Sequence, residues 1–378
     1  MIKLHGIENK IKTSKLVNFD LSENQELFKS TAERFLQSVD VAERIKQRKT
    51  EFGYDKSRWS SLAELGLLAI AADEKNGGMS GSMSDLSTIA QTFGRQNSVD
   101  PWLENGALPT LIANKANASE ILEHILDGSK ISALAFAEPK GRYELTPQST
   151  TATQKGDSYI ISGEKQFVLG GKVSDLLFVT AKTDDEFGIF AITKDTKGII
   201  SRYYRIADGS QAAVVEFQSV SVPASAKLNL SFSDFENIIA EVSALACAEM
   251  VGLSQLVFHD TVEFVKERKQ FGVSIGSFQA IQHNLAECFA DLEQIRSTLL
   301  RILLVPAAND DDKRAKIYGA KAFISKRAQH IAQRAVQYHG AMGITEEVAI
   351  GHALKRILLL ARLFGDTSTC LDAFTKAA

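Results

Sequence analysis

Cysteine is scarce in this sequence: Cys247, Cys288 and Cys370 are the three in 378 residues, far apart and without a CxxC pair. So sparse and odd a set excludes a disulfide scaffold and offers no zinc knuckle. Cys247 and Cys288 fall in apolar helical patterns, where a reduced thiol packs as a small hydrophobe. Proline is rarer still for the length, six residues beside 25 glycines, which excludes collagen-like and Pro-rich disordered chains. No charge of one sign dominates. The formal net charge is −3, too small to draw nucleic acid or an anionic membrane. Lys313, Arg314 and Lys316 form only the small cluster typical of a solvated helix face. No apolar run reaches a membrane span, and MIKLHGIENKIKTSK at the start lacks the apolar core of a signal peptide. The chain is therefore expected in the cytoplasm, with no membrane or nucleic-acid partner. A metal site is not expected either, because His283 and His339 have no second ligand at a metal-like spacing.

What is present is globular: 44% hydrophobic, 24% charged, with a mean hydropathy of −0.07. That suffices for two or three domains with sizeable cores. From Leu21 to Leu126 the apolar period is helical, opened by Ser22 and Gln25 in a capping-box pattern. From Ile131 to Phe232 the period shortens to strand-like runs at Ser158–Ser162, Leu176–Ala181, Gly188–Thr193 and Ala213–Phe217. After Asp234 the helical period returns in four long stripes, broken near 272–276, 306–312 and 340–345. The fold class expected is α+β: an N-terminal all-α domain (1–129), a central β-barrel domain (130–232) and a C-terminal four-helix bundle (233–378). Strands do not alternate with helices and no GxGxxG follows a strand, so a Rossmann domain is excluded.

Two stretches carry chemistry. KERKQFGVSIGSFQAIQH, residues 266–283, sets Arg268, Lys269 and Gln270 at a helix end, before a glycine turn and Phe278–Gln279. A guanidinium with polar donors at such a junction suits a pyrophosphate, and Phe271 could cover a flat ring. A solvated charge cluster before a turn would look the same. In QYHGAMGITE, residues 337–346, Gly340 and Gly343 allow close approach of a ligand to backbone and Gln337 could bond its edge. A plain helix C-cap is the other reading.

Together these residues resemble the two signatures of the acyl-CoA dehydrogenase family, over about residues 19–372. One is Arg268–x–x–Phe271–Gly272 with Phe278–Gln279 and Gln282–His283. The other is Gln337–x–His339–Gly340–x–x–Gly343–x–Thr345–Glu346. Phe136–Pro139 (FAEP) and Gly163–Gly171 (GEKQFVLGG) resemble the family's flavin-side strands, and Gly365–Thr369 (GDTST) its carboxy-terminal turn. The resemblance implies FAD between barrel and bundle, contacted by Phe136, Phe167 and Thr367, with Arg268 and Gln337 completing the adenine end of a neighbour's cofactor; Phe271, Gln279 and Gly340 are further cofactor-binding candidates. It implies an acyl-CoA substrate, reoxidation by an electron-transferring flavoprotein, and homo- or hetero-oligomers built as a dimer of dimers.

The catalytic base is where the pattern changes. Most members carry a glutamate before a Gly-Thr pair, where this chain has Gly365 followed by Asp366. Others place it early in the first bundle helix, where this chain has Val242 with Glu241 beside it. Glu249, two turns on, interrupts the apolar run Ala244–Val251. It reads either as a cleft carboxylate with a raised pKa or as a structural glutamate paired with a buried cation. Glu249, Asp366 and Glu241 are thus the candidate bases. Ser243 replaces a family arginine, Lys140–Glu144 a small-residue loop, and Leu169 a threonine. Ala248–Glu249–x–x–Gly252 and Phe364–Gly365–Asp366 resemble a bacterial branch acting on steroid and other bulky acyl-CoAs, in which only one of two different chains supplies the base. Besides an active dehydrogenase, the sequence leaves open a non-catalytic flavin-binding structural subunit and a related flavin oxidase.

Overall fold

The computed structural model describes residues 20–37, 40–184 and 187–377; the amino-terminal stretch read above for a leader lies outside them. The first part is helical. It comprises α1 (Glu23–Leu36), α2 (Val41–Lys49), α3 (Ser57–Glu64), α4 (Met83–Arg95), α5 (Leu108–Lys115) and α6 (Ser119–Leu126). The Ser22 hydroxyl accepts from the Gln25 backbone N–H, and the Gln25 side chain accepts from the Ser22 N–H, as the capping box requires. Between α4 and α5 runs one wide turn of π-helix, Trp102–Ala107, a form common at functional sites.

Seven strands follow: β1 (Ser132–Ala135), β2 (Thr151–Lys155), β3 (Ser158–Leu169), β4 (Leu176–Ala181), β5 (Gly188–Thr193), β6 (Ile199–Arg205) and β7 (Gln211–Pro223). They form two sheets, in the orders β1-β4-β5 and β2-β3-β7-β6. A parallel bridge between Thr151 and Lys182 links the sheets. Their facing side chains, among them Ile161, Val179, Phe190 and Val215, share one core. β1, β2 and β6 gave no strand-like run of their own in the sequence; the flavin-side strand that the resemblance put at Phe136–Pro139 ends instead at Ala135, as β1. β1 and β2 are only four and five residues long, and β6 alternates toward solvent without a strong apolar run.

The rest is α7 (Phe232–Glu267), a hairpin of β8 (Lys269–Gln270) and β9 (Val273–Ser274), α8 (Gln279–Leu304), α9 (Asp310–His339), α10 (Ala349–Leu360) and α11 (Thr367–Ala377). The four long helices lie where the stripes placed them. α11 is a fifth, set apart by the turn at 361–366. Against the expectation that no apolar run is long enough to span a membrane, α7 is, but most of its apolar length is buried within the core of the protein. α4 crosses it at Gly94 and Gly252. A Cβ on either glycine would meet backbone oxygen of the other helix at 2.1 Å, so only glycine permits the crossing.

Candidate active site

A cavity of about 570 Å³ opens between the barrel and the bundle. On the barrel side its wall holds Phe136, just past β1, and Phe167 of β3. Phe167 has a positive φ of 55° where the β3–β7 register shifts between Lys165 and Val168. Such a bulge turns a side chain out of the strand's alternation, and it aims this ring at the cavity. The wall is anchored from behind. The ammonium of buried Lys165 meets Glu138 at 2.8 Å and donates to the Phe136 carbonyl at 3.0 Å. Glu138 also accepts from the backbone N–H groups of Gln148, Ser149 and Thr150, fixing both ends of the 139–148 loop. Burial pushes the Glu138 carboxyl upward, but Lys165 and Ser149 outweigh it and hold the pKa down, at about 2.

The bundle side is formed by Val242 on α7 and by Leu363, Phe364 and Asp366 in the turn before α11. The Phe364 ring lies 5.4 Å from that of Phe136, tilted by 42°. Of the three candidate bases, only Asp366 lines this cavity. Its carboxylate accepts from the Thr369 N–H and hydroxyl, each at 2.9 Å, capping the start of α11. Those bonds, the backbone one foremost, lower its pKa, which weakens it as a base near neutral pH. Glu241 points away, 2.6 Å from Lys313, because successive helical residues diverge by about 100°. Glu249 is buried among charges. Arg356 donates to it from Nε at 2.6 Å and Nη2 at 3.1 Å. The same guanidinium donates to both oxygens of Glu104, at 3.0 and 3.1 Å, and lies 3.5 Å from Asp208. Arg48 stands 3.8 Å from Asp208. Burial raises the Glu249 pKa while Arg356 opposes it. Of the two readings of Glu249, pairing with a buried cation is the one with an observed partner.

Glu104 is the carboxylate the sequence reading missed. It lines the cavity from the π-helical turn, and no local pattern in PWLENGALP marks it. Arg356 escaped for the same reason, since an arginine in the α10 stripe reads as a surface residue. Arg142 and Tyr143 of the 139–148 loop also reach the cavity, where only a replaced loop was expected.

The remaining cofactor candidates gather elsewhere. Arg268 caps the C-terminus of α7, Phe271 sits at the β8–β9 turn, and Gln279 opens α8. Gln337 and Gly340 lie at the end of α9, held to α7 by His339 stacked 4.2 Å from Phe264. Arg268, Phe271, Gln279 and Gln337 are all exposed, Phe271 to 91%. Val242 and Arg268 are separated by roughly 39 Å of helix at 1.5 Å per residue. One dinucleotide cannot touch both ends of α7, so the candidates divide into a cavity set and a distal set. Thr367, the first residue of α11, follows the cavity-lining Asp366 in the chain but is not itself among the residues lining the cavity.

The cavity set fits a flavin. Three aromatic rings, Phe136, Phe167 and Phe364, border a space large enough for a flat ring system, and Gln166 contributes a polar edge.

Comparison with known proteins agrees with this geometry. Residues 22–118, 133–220 and 238–377 match, in order, the N-terminal, middle and C-terminal domains of acyl-CoA dehydrogenase. The mitochondrial long-chain specific acyl-CoA dehydrogenase of Sus scrofa is 26% identical over 350 residues, covering 88% of this chain and 81% of that protein. Butyryl-CoA dehydrogenase from Megasphaera elsdenii superposes with a TM-score of 0.85 at 23% identity, covering 95% of this chain and 99% of that one. The ChsE4-ChsE5 complex from Mycobacterium tuberculosis gives 0.84 at 20% identity, covering 95% and 98%. With three successive domain matches and one matching architecture, this chain belongs to the acyl-CoA dehydrogenase family of FAD-dependent oxidoreductases.

Proposed function

We propose that this chain is a subunit of an assembly that α,β-dehydrogenates an acyl-CoA thioester, and that a neighbouring chain carries the base for the α-proton. The state of the cavity's carboxylates carries this reading. Glu104 is tied up by Arg356 and Asp366 caps a helix, while Val242 and Gly365 occupy the two places where the resemblance puts a glutamate. The flavin, when bound, supplies the hydride acceptor. Phe136 and Phe167 would flank it on the barrel side, and Phe364, packed against Phe136, would close that wall to water. Gln166 would offer its amide to the ring's edge, and the fixed Glu138–Lys165 pair keeps that wall from yielding.

The distal set supports an oligomer. Arg268, Phe271, Gln279 and Gln337 are too far from this chain's cavity to serve it, so they would complete the adenine end of a neighbour's cofactor. A mixed assembly is further supported by the ChsE4-ChsE5 structure, itself a complex of this fold. An electron-transferring flavoprotein would take the electrons, and the three buried free thiols suit the cytoplasm.

The test is the visible spectrum of the purified chain, followed by anaerobic addition of acyl-CoAs. Bound flavin that bleaches only after a base-carrying partner is added is the expected result. Bleaching by the chain alone would favour a second reading, in which Asp366 is the base because it lines the cavity. Asp366→Asn would then abolish the bleaching. Separately, Arg268→Ala is expected to weaken FAD retention by roughly tenfold or more, as loss of a charge-assisted phosphate contact would. Unchanged FAD content in the purified variant would remove Arg268 from that role.

A further inference from the structure

Lys321 lies in the middle of α9, fully buried, between Ala320 and Ala322. No carboxylate is within ion-pair distance of its ammonium among the described residues. It donates instead to two backbone carbonyls, those of Leu363 and Gly365, the latter at 2.6 Å. The Cys370 thiol approaches the same Gly365 oxygen at 3.6 Å. Burial lowers its pKa, while Cys370 on α11, Cys247 on α7 and Asp366, the titratable groups that face it, act to raise it.

Burying a charge this deeply is costly unless its hydrogen bonds are needed, and an apolar side chain would fill the space without that cost. The carbonyls it holds show the need. They flank Phe364, whose φ is 59°, and Gly365 itself has φ 133°. A bulky residue in left-handed backbone costs about 1–3 kcal/mol and persists only where its surroundings over-determine it. That conformation directs the Phe364 ring to the cavity wall, against Phe136.

We infer that Lys321 is a positioning residue for the cavity. Its ammonium clamps the Leu363–Gly365 turn, keeps Phe364 in the wall, and sets a positive charge behind that wall which favours anionic forms of the ligand bound there. The second half rests on the reading that the cavity takes a flavin; the clamp does not. A fixed charge one residue behind the wall acts without reorganising when negative charge develops in front of it. Neutralising it is therefore expected to make the bound flavin harder to reduce.

Two variants separate the clamp from the charge. Lys321→Met removes both, whereas Lys321→Gln keeps amide donors without the charge. In the flavin-free chain, amide hydrogen exchange over residues 362–367 is expected to rise at least tenfold in Lys321→Met and less in Lys321→Gln, with other core helices unchanged. In flavin-loaded protein, both variants are expected to show a lower midpoint potential than the parent. Unchanged exchange in a folded Lys321→Met chain would overturn the clamp. An unchanged potential in both loaded variants would overturn the charge effect. A parent chain that takes up no flavin would defeat the flavin reading, and the exchange result would still decide the clamp.

Discussion

Val242→Glu is expected to raise the rate at which acyl-CoA reduces the flavin of this chain by 10²-fold or more, the low end of what a positioned general base contributes. Val242 is fully buried yet lines the cavity from α7, so a glutamate there projects into the space between barrel and bundle. It would be poorly solvated and its pKa raised, which suits proton abstraction near neutral pH. The substitution adds volume and a carboxyl to a packed helix, so some stability is lost, and folding must be confirmed by circular dichroism. Gly365→Glu is the instructive contrast. It restores a glutamate at the position where most relatives carry one, but φ of 133° excludes a side chain, and a Cβ would lie 3.2 Å from the Cys370 sulfur. Little gain is expected there unless the turn rebuilds. Stopped-flow reduction under anaerobic conditions decides between them. A folded, flavin-loaded Val242→Glu chain with no faster reduction would show that a missing base is not what limits this cavity.

The reach of the sequence follows from the range of each interaction. The long stripes of α7, α8 and α9 record burial along one helix face, and a period of 3.6 is visible locally. The capping box at Ser22 is equally local. Glycines and caps mark the helix ends that carry Arg268 and Gln337, but the residues alone left their role open, and only the family resemblance suggested that they serve a neighbour's cofactor rather than this cavity. β1 stayed hidden because four buried residues, SALA, give no alternation. Glu249 shows the limit most clearly. An acid inside an apolar run says that something pays its desolvation, but the partner, Arg356, lies 107 positions away. Lys321 is the same case with backbone as the partner. The candidate bases were named by position along the chain, while the angle around α7 decided that Val242 and not Glu241 faces the cavity.

That buried cluster sets the second large effect. Arg356→Leu is expected to destabilise the chain by about 3–5 kcal/mol, the usual cost of stranding buried carboxylates by removing their cation. Arg356 serves Glu104 and Glu249 through two hydrogen bonds each, with Asp208 close by. Without it, Arg48 alone remains to balance three acids, at 3.8 Å from one of them. The deficit has a definite pH dependence. Stranded carboxyls take folded-state pKa values above their unfolded ones, so the folded variant binds more protons than its unfolded chain across that interval. Its stability therefore rises as pH falls, and the gap to the parent narrows from pH 8 to pH 5. Urea titrations at the two pH values measure both quantities. The same measurements separate the two readings of Glu249: a structural partner of Arg356 loses stability on Glu249→Gln whether or not substrate is present. A proton-abstracting Glu249 would instead lose turnover while keeping its midpoint. A variant Arg356→Leu as stable as the parent at pH 8 would mean that the acids of this cluster are already protonated, and Arg356 would then be packing rather than neutralising.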